Sequence, residues 1–569
     1  MQLSRRNALK LGLIGSGQMM LSQSALASSC QNPTFPVKPD CPPVRHHGEP
    51  LVSPFPMTTT PSPAVPKFKR PFERPPVLQP VRSDERGVRP TDYYEITLQK
   101  SQAEIMIGQP TEVWSYNGII PGPTIRQKGG LEPADNGRQS VVRFINQLGS
   151  DAKGRPIKST THLHGMASQP YYDGYAEDLI APNYFKDYVY PNDRAATIWY
   201  HDHAVEETSR NVYQGLAGMY IVEDEIERRL NLPSGRYDVP LVLQDVRLDR
   251  DGQLVFNDRA RRNLYGDVTL VNGVPWPHMQ VERRKYRFRV LNASVSRSYR
   301  LTLSQFEDRQ TFGDTLSVIA TDCGILGAPV PIRATPRRPF KSFRISPAER
   351  YEFVIDFSQY APGTELYLRS PALQSNIDSE VRSQALMRFE VMPGSPDDPS
   401  ELRPVLRPVA SLLETAQKQG KSICTRTFRF ERSATQWLIN NKAWNPYRVD
   451  ANPQPGDVEI WELVNSGGGW IHPVHIHLVD SQIVSRNGLP AYDYERGWKD
   501  VFAVREFESV RVIMQFESRN KQPIEGRFMM HCHNLVHEDH DMMTQFEVGS
   551  RGEDPCARPP QSVAGMLPL

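Results

Sequence analysis

The segment His531–Met542, which reads HCHNLVHEDHDM, holds the residues best suited to redox chemistry in this chain. Cys532 lies between two histidines, His537 follows it by five residues, and Met542 follows it by ten. A thiolate, an imidazole and a weak, distant thioether are ligands of a blue-copper electron-transfer site, which needs a second imidazole from elsewhere. The spacing therefore predicts a redox-active copper bound by Cys532, His537 and Met542.

The two histidines that flank Cys532 are suited to a second metal centre. Neighbouring side chains on a β-strand point to opposite faces of the sheet. His531 and His533 would therefore turn away from the copper that Cys532 binds, while a few covalent bonds still join them to it. We expect electrons to pass from one centre to the other along these bonds.

Three more histidine clusters lie upstream, and together with His531, His533 and His537 they hold ten of the fourteen histidines. They are His162 and His164; His201 and His203; and His472, His475 and His477. A single His-x-His pair is a weak indication, because residues two apart on a strand share a face whether or not they bind metal. Four clusters beside the Cys/His/Met pattern are not expected by chance. No Cys-x-x-Cys pair or His-Glu-x-x-His helix favours zinc instead.

Around these motifs the chain resembles the multicopper oxidases, in particular the bilirubin oxidases and the bacterial spore-coat laccase. The resemblance runs from about residue 90 to about residue 548, through the stretches WSYNGIIPGPTI, DGYAEDLI, TIWYHDH, VNGVPWP, RKYRFRVLNASVSRSY and WIHPVHIHLVD. It implies an enzyme with four copper ions. Such an enzyme couples one-electron oxidation of a phenolic or tetrapyrrole (bilirubin-like) donor to four-electron reduction of dioxygen to water.

The resemblance also implies a role for each ligand. Four side chains would hold the type 1 copper, which collects electrons: His472, Cys532, His537 and Met542. Two histidines would hold the type 2 copper: His162 and His475. Six would hold the type 3 pair: His164, His201, His203, His477, His531 and His533. No ligand position of the family pattern is missing from this sequence.

Two carboxylates, Asp173 and Glu538, match family positions that supply protons to the reducing oxygen. The alternative for each is a carboxylate that only orients a histidine. His472 is the expected point where electrons enter, with its ring edge facing the donor near Trp470. Trp470 itself could equally be a core residue.

A weak internal repeat indicates the elements that position these residues. Asn-Gly or Asn-Asn turns at 117–118, 272–273 and 440–441 each precede a β-rich segment that ends in asparagine. In the second segment, Tyr286, Phe288 and Val290 alternate with arginines, as on a half-buried strand. Three copies of one unit predict an all-β fold of three β-sandwich domains. The resemblance identifies these as cupredoxin-like Greek-key domains.

The predicted domains cover residues 90–230, 231–395 and 420–550, with a linker at 396–419 and a tail at 551–569. A chain of 569 residues is long enough for three or four domains. The ligand motifs fall only in the first and third domains, so we expect the histidine-bound metals where these two meet. The middle domain is expected to serve as a spacer between them.

The N-terminal residues 1–27 resemble a twin-arginine export signal. Arg5 and Arg6 precede a mildly apolar stretch, and Ala25-Leu26-Ala27 is a small-residue cleavage site. An amphipathic helix is the alternative. Export would make the Tat translocon a transient partner and the periplasm or the medium of a bacterium the destination. Residues 28–89 are proline-rich and predict an extended arm, either disordered or wrapped on the surface.

Composition excludes several other classes of function. The 67 basic and 65 acidic side chains nearly cancel, so nucleic acid and charged membranes are not expected partners. No apolar run is long enough to span a bilayer, and we expect a monomer without a membrane anchor.

Cys30 or Cys41 could pair with Cys556 in an oxidising compartment. The odd number of cysteines other than Cys532 leaves at least one thiol free unless it pairs between chains.

Two other functions are compatible with parts of the sequence. The first is a metal oxidase acting on Cu(I) or Mn(II); the sixteen methionines form no cluster of the kind found in copper-detoxifying relatives, which counts against Cu(I) but not against Mn(II). The second is a non-enzymatic cupredoxin-fold scaffold of the kind seen in twin-arginine-exported division proteins. The complete ligand set argues against a scaffold, and an electron carrier with a single copper would not need the paired histidines.

Overall fold

The computed structural model describes most of the chain beyond residue 59 and two short N-terminal strands, Ala27–Ser29 and Phe35–Pro36. The described ranges are residues 60–87, 89–130, 137–308, 316–334, 341–371, 385–394, 397–433, 436–517 and 524–569. The predicted cleavage site therefore lies at the edge of the described residues, and the twin-arginine motif lies outside them.

The first β-sandwich packs a six-stranded sheet against a four-stranded sheet. The six strands are Arg82–Asp84, Thr91–Met106, Gln109–Tyr116, Gln139–Asn146, Tyr184–Tyr190 and Gln561–Ser562. The four are Gly122–Lys128, Thr161–His164, Ala196–Asp202 and Ala217–Glu223. Tyr94, Ile96 and Leu98 alternate with partly exposed residues, so every second side chain enters the shared core, where they meet Tyr200 of the facing sheet.

The middle β-sandwich packs a seven-stranded sheet against a five-stranded sheet. The seven strands are Asp238–Val246, Val268–Val271, Val274–Pro275, Lys285–Asn292, Ser317–Thr321, Gly324–Pro331 and Arg350–Asp356. The five are His278–Val281, Tyr299–Ser304, Phe343–Ile345, Glu365–Arg369 and Ala385–Val391. Phe288, Phe353 and Phe389 pack between the sheets, with ring centroids of Phe288 at 5.4 and 5.3 Å from the other two.

The third β-sandwich repeats the six-plus-four arrangement of the first. The six strands are Ala27–Ser29, Ile423–Arg432, Trp437–Ile439, Val458–Asn465, Ser481–Arg486 and Glu508–Gln515. The four are His472–Ile476, Val501–Val504, Gly526–Cys532 and Met543–Val548. A separate two-stranded sheet joins Phe35–Pro36 to Arg448–Val449. The core of the third sandwich includes Trp461 and, notably for the chemistry, Cys532 and Met542.

Helices are short and lie between strands. The α-helices in the described residues are Thr208–Gln214, Glu225–Arg229, Leu412–Lys418 and Leu535–Glu538. The 3₁₀-helices are Pro170–Tyr172, Gly235–Tyr237, Phe357–Gln359 and Asp493–Glu495. Within these described ranges, no helix has the length and apolar character needed to cross a membrane.

The three sandwiches confirm the predicted fold class, but the arginines of the second repeat do not face water. Arg287 and Arg289 are 3% and 0% exposed. Arg289 donates to Asp238 at 2.8 Å and to Glu227 at 2.9 Å, and the two arginines share Glu352. Buried charges persist when they are paired in this way. The polar face of this strand therefore packs toward the first sandwich instead of solvent.

Part of the proline-rich arm is extended and hydrogen-bonded along two sandwiches. The backbone nitrogen of Phe68 donates to Trp276 in the middle sandwich at 2.8 Å, and that of Leu78 donates to Thr124 in the first sandwich at 2.8 Å. A proline-rich segment suits this position, because proline favours an extended backbone and has no backbone N–H that would need an acceptor.

Two cysteines in the described residues are free and two are disulfide-bonded. Cys323 and Cys532 are free and buried, whereas Cys424 and Cys556 are in disulfides. The predicted pairing of Cys556 with Cys30 or Cys41 involves residues outside the described ranges. Cys323 is the additional free thiol that the odd count predicts.

Candidate metal centres

Strand register places the histidines of the third sandwich on two different faces of one sheet. His472–Ile476 runs antiparallel to Gly526–Cys532, with Val474 opposite Cys532 and His475 opposite His531. Because side chains alternate along each strand, Cys532 shares the core face with Val474, while His475 and His531 share the opposite face. This separates the candidate ligands into two centres, as the sequence predicts.

The first centre is a triangle of donor atoms inside the third sandwich. The Sγ atom of Cys532 lies 3.5 Å from Nδ1 of His472 and 3.5 Å from Nδ1 of His537, and the two nitrogens are 3.2 Å apart. A point equidistant from the three atoms lies about 2 Å from each, close to the bond length of a first-row metal to nitrogen or sulfur. Met542 is fully buried in the same hydrophobic cluster as Cys532.

Eight histidines form the second centre, where the first and third sandwiches meet. The Nε2 atoms of His162 and His475 are 3.3 Å apart, and Nε2 of His531 lies 3.2 Å from Nε2 of both His203 and His477. Three groups of ligand atoms lie within 4.8 Å of one another: His162, His475 and His477; His164, His201 and His533; and His203, His477 and His531. The structure thus brings together all eight histidines that the motifs single out for this centre.

Several of these rings are fixed by a hydrogen bond at the nitrogen that faces away from the centre. Nδ1 of His201 contacts the carbonyl of Asp202 at 2.7 Å, Nδ1 of His475 contacts the carbonyl of Asp500 at 3.0 Å, and Nδ1 of His162 contacts the carbonyl of Asp173. Histidines that bind metal usually donate their other N–H to an oxygen in this manner, which sets the tautomer and the ring orientation.

The protonation states of the donors also suit a metal. Burial lowers the pKa of His472 to about 3 and that of His203 to about 4, so these two rings are neutral near pH 7. Burial raises the pKa of Cys532, so the thiolate form needs a bound cation to stabilise it. In addition, Nδ1 of His164, Nε2 of His201 and both nitrogens of His533 are buried without a hydrogen-bond partner among the described residues. One ring nitrogen from each of His164, His201 and His533 lies within 4.8 Å of the other two, and such a group of unpaired buried nitrogens fits a metal site.

Asp173 and Glu538 are both buried against the histidine centre. Oδ2 of Asp173 accepts a hydrogen bond from Nδ1 of His477 at 2.7 Å, and Oε2 of Glu538 lies 2.8 Å from Nδ1 of His531. Burial raises the pKa of Asp173 well above its usual value. For Glu538 burial acts in the same direction, but the neighbouring imidazoles outweigh it and lower the pKa to about 2. Each carboxylate therefore touches a ring, and the contacts alone are compatible with either of the two predicted roles.

Asp500 and Arg350 are polar residues beside the histidine centre that no sequence motif indicates. Oδ1 of Asp500 lies 3.3 Å from Nε2 of His164, and Arg350 donates to both carboxylate oxygens at 2.7 and 2.6 Å. Arg350 belongs to the middle sandwich, so this sandwich contributes a side chain to the support of the centre and does more than act as a spacer. No metal motif surrounds either residue, and their pairing spans 150 positions of sequence.

The surroundings of the first centre include a tryptophan that the sequence did not indicate. The ring of Trp437 stacks on His537 with centroids 3.7 Å apart, and Trp470 packs edge-on against Trp437 at 5.0 Å. His472, the predicted point of electron transfer from the donor, is 2% exposed and contacts Trp437 at 5.6 Å. Trp470 is only partly buried, so it reaches the surface beside the buried Trp437.

Sequence comparison agrees with this geometry. Residues 97–227 and 418–552 match the multicopper oxidase family. A bilirubin oxidase of Albifimbria verrucaria is 38% identical over 505 residues, which cover 85% of this chain and 82% of the relative. A laccase of Bacillus stratosphericus is 31% identical over 538 residues, covering 85% of this chain and 99% of the relative.

A solved structure has the same architecture. The laccase of Pediococcus acidilactici superposes with a TM-score of 0.71 at 30% identity, covering 86% of this chain and 96% of the laccase. The similarity spans nearly the whole length of these relatives, and the paired donor-atom centres described above lie within it. This chain therefore belongs to the multicopper oxidase family, whose members are copper-containing oxidoreductases that use dioxygen as electron acceptor.

Proposed function

We propose that this protein is an exported oxidase that takes single electrons from phenolic or tetrapyrrole donors and reduces dioxygen to water. One observation carries the proposal. Cys532 places its sulfur in the three-atom triangle, while the residues on either side of it, His531 and His533, place their rings among the other six histidines. A single short segment thus joins a site suited to collecting electrons with a site suited to using several of them.

The resemblance to multicopper oxidases assigns each candidate ligand to a copper ion, and the geometric groups support this proposal. His472, Cys532 and His537, with Met542 as a weak and more distant ligand, would hold the type 1 ion. His162 and His475 would hold the type 2 ion. The type 3 pair would be held by His164, His201, His203, His477, His531 and His533. Bound copper supplies one-electron transfer at the first centre and the binding and reduction of dioxygen at the second.

The protein's contribution to electron transfer is a short covalent connection. Electrons that reach Cys532 would pass through its backbone to the adjacent histidines. The donor would approach His472 from the side of Trp470, since the protein covers His472 itself almost completely. Burial of both centres would exclude water and bulky molecules, so donor and dioxygen would react at separate places.

Asp173 and Glu538 would move protons to the oxygen being reduced. Oδ2 of Asp173 sits against His477, and the carboxylate of Glu538 sits against His531, with Oε1 at 3.8 Å from Nε2 of His203. Both side chains are almost fully buried, at 4% exposed. A carboxylate at such a place can carry a proton from the protein to the centre without admitting bulk solvent.

The test is a panel of donors with oxygen uptake measured for each. Purified protein reconstituted with copper is given bilirubin, dimethoxyphenol, Cu(I) and Mn(II), and kcat/KM is determined for every donor. We expect the two organic donors to give the higher values. A clear preference for Mn(II) or Cu(I) would favour the metal-oxidase alternative. Failure to bind copper after full reconstitution would favour the scaffold alternative.

Export and oligomeric state form separate parts of the proposal. We propose twin-arginine export of a monomer to the periplasm or beyond, based on Arg5, Arg6 and the cleavage site ending at Ala27. Replacing both arginines by lysine should hold the protein in the cytoplasm of a bacterial host. Fractionation detects this, and unchanged export would contradict it. Sedimentation of the mature chain tests the monomer.

A further inference from the structure

Beside the first centre, two arginines lie over the exposed side of the tryptophan pair. The guanidinium of Arg432 is 5.1 Å from the ring centroid of Trp437 and 5.4 Å from that of Trp470, and the guanidinium of Arg262 is 6.0 Å from Trp470. We refer to Arg262, Arg432, Trp437 and Trp470 as the arginine–tryptophan face. It combines two positive charges with an aromatic surface that contacts His537 directly.

The two arginines have no anionic partner in the part of the chain that the structure describes. Neither forms an ion pair with a described carboxylate, and Nε of Arg432 is buried without a hydrogen-bond acceptor there. Burial and the nearby charge of Arg262 both lower the pKa of Arg432, as expected for two cations placed side by side. By contrast, the fully buried Arg289 and Arg350 have carboxylate partners. An unpaired donor next to a second cation therefore marks a place suited to an anion from outside.

The face is fixed in position relative to the first centre. The carbonyl of Arg262 accepts a hydrogen bond from Nε2 of His537 at 2.7 Å, and the carbonyl of Arg261 accepts one from Nε1 of Trp437 at 2.9 Å. Arg261 and Arg262 belong to a loop of the middle sandwich, between the strands Asp238–Val246 and Val268–Val271. The loop is thus anchored on a candidate copper ligand, and its side chain at position 262 is exposed to an approaching donor.

We propose that the arginine–tryptophan face binds the carboxylate of an aromatic electron donor and holds the donor's ring against Trp470. This inference rests on the proposed function and narrows it to donors that carry an anionic group near an oxidisable ring. The guanidinium groups of Arg262 and Arg432 supply the charge and the donors for hydrogen bonds. Trp470 supplies stacking surface, and the buried Trp437, which packs against Trp470, contacts the rings of His472 and His537.

The alternative is that these arginines only cover the tryptophans, as long cationic side chains often cover apolar surface. A matched pair of probes separates the two possibilities. Syringate and its methyl ester share the same phenolic ring and differ in the carboxylate. Comparing the ratio of their kcat/KM values between variants removes the intrinsic difference in how readily the two are oxidised.

The experiment uses the copper-loaded full chain and the variants Arg262→Gln, Arg432→Gln and the double variant. We expect kcat/KM for syringate to fall roughly two- to fivefold for each arginine, the range of a partly exposed ion pair, and the ester to fall by a smaller factor. Arg429→Gln is the control, because it removes an exposed charge from the same strand, Ile423–Arg432. It should leave the ratio at the wild-type value. Equal losses for acid and ester in the arginine variants would overturn the proposal.

A second measurement needs no variant. Raising the ionic strength should reduce the preference of the wild-type protein for syringate over its ester, because salt screens charges that are partly exposed. An acid-to-ester ratio of kcat/KM that does not depend on salt would count against the proposal even if a variant fails to fold. Copper content and the visible copper–thiolate absorption are recorded for every sample. If these are normal but neither probe is oxidised, the proposed function fails. If both probes are oxidised and their kcat/KM ratio changes neither with salt nor in the arginine variants, only this inference fails.

Discussion

The two candidate metal centres are built in different ways, although Cys532 and its neighbours join them. All the donor atoms of the first centre come from the third sandwich, within the segment 472–542. The second centre takes four histidines from the first sandwich and four from the third, and Arg350 of the middle sandwich supports it through Asp500. The donor atoms of the first centre therefore depend mainly on packing within one sandwich, with one outer contact from His537 to the carbonyl of Arg262 in the middle sandwich. The second centre depends on how three sandwiches are aligned.

This difference predicts that damage at the sulfur stays local. Changing Cys532 to Ser should abolish the copper–thiolate absorption and reduce donor oxidation to the uncatalysed level, because a hydroxyl does not replace a thiolate as a copper ligand. The histidine centre should keep its copper, since none of its eight rings needs the sulfur as a ligand. Metal analysis and visible and electron paramagnetic resonance spectra measure both effects.

A Cys532 variant that loses all its copper would contradict the independence of the two centres. It would indicate that the strand Gly526–Cys532 needs the first metal to hold His531 in place. A variant that keeps its visible colour would contradict the assignment of the sulfur as a ligand.

A substitution at the Asp500–Arg350 ion pair, which links the third and middle sandwiches, should instead affect both the stability of the protein and the histidine centre. Changing Asp500 to Asn removes the nearer counter-ion of the buried Arg350 and leaves it only Asp322 at 4.0 Å. Breaking a buried ion pair costs up to about 3–5 kcal/mol of folding free energy in comparable cases. The change to Asn also alters the contact to Nε2 of His164. We expect a lower unfolding temperature of the copper-free protein and a changed spectrum of the histidine-bound copper, with the copper–thiolate absorption retained.

Asp480 offers a matched control for this prediction. It forms an ion pair with the buried Arg194 at 2.6 Å, and this pair joins the third sandwich to the first. Asp480→Asn should destabilise the protein similarly without changing the spectrum of the histidine centre. Equal spectral changes in both variants would mean that alignment of the sandwiches matters and the contact with His164 does not.

The same difference explains what could be predicted from the sequence. Ligand types and two-residue spacing are local features, and strand alternation converts them into faces, so the histidine clusters and the Cys/His/Met segment could be found from the sequence. The resemblance to multicopper oxidases then named the twelve predicted ligands. The link between Arg350 and Asp500 could not be found in this way, because it joins positions with no local signature. Nor could the burial of Arg287 and Arg289, since an alternating strand indicates which face is apolar but not whether another sandwich covers the other face.

Proton delivery concerns the second centre alone. Asp173→Asn and Glu538→Gln keep the size of each side chain and remove its exchangeable carboxyl proton. We expect turnover with dioxygen to slow on the order of a hundredfold, in the range of general acid catalysis, while reduction of the first copper by donor stays fast. Stopped-flow reduction without oxygen and steady-state oxygen uptake separate the two steps. Full copper content must be verified first, because both carboxylates also contact histidine rings. Unchanged turnover in fully loaded variants would leave them only an orienting role.

The smallest expected effect concerns the axial position of the first centre. The structure places Met542 in the hydrophobic cluster of Cys532, and the backbone nitrogen of Cys532 donates to the carbonyl of Met542 at 3.0 Å. Met543 instead packs with Tyr175 and Trp444 on the other side of the strand. Met542→Leu should therefore raise the reduction potential of the first copper, because a weak thioether ligand is lost and the site becomes more apolar. Met543→Leu should leave that potential unchanged. Redox titration of the copper–thiolate absorption measures both potentials. A shift only in the Met543 variant would mean that Met543, and not Met542, is the weak ligand. The first centre would then use the opposite face of the strand.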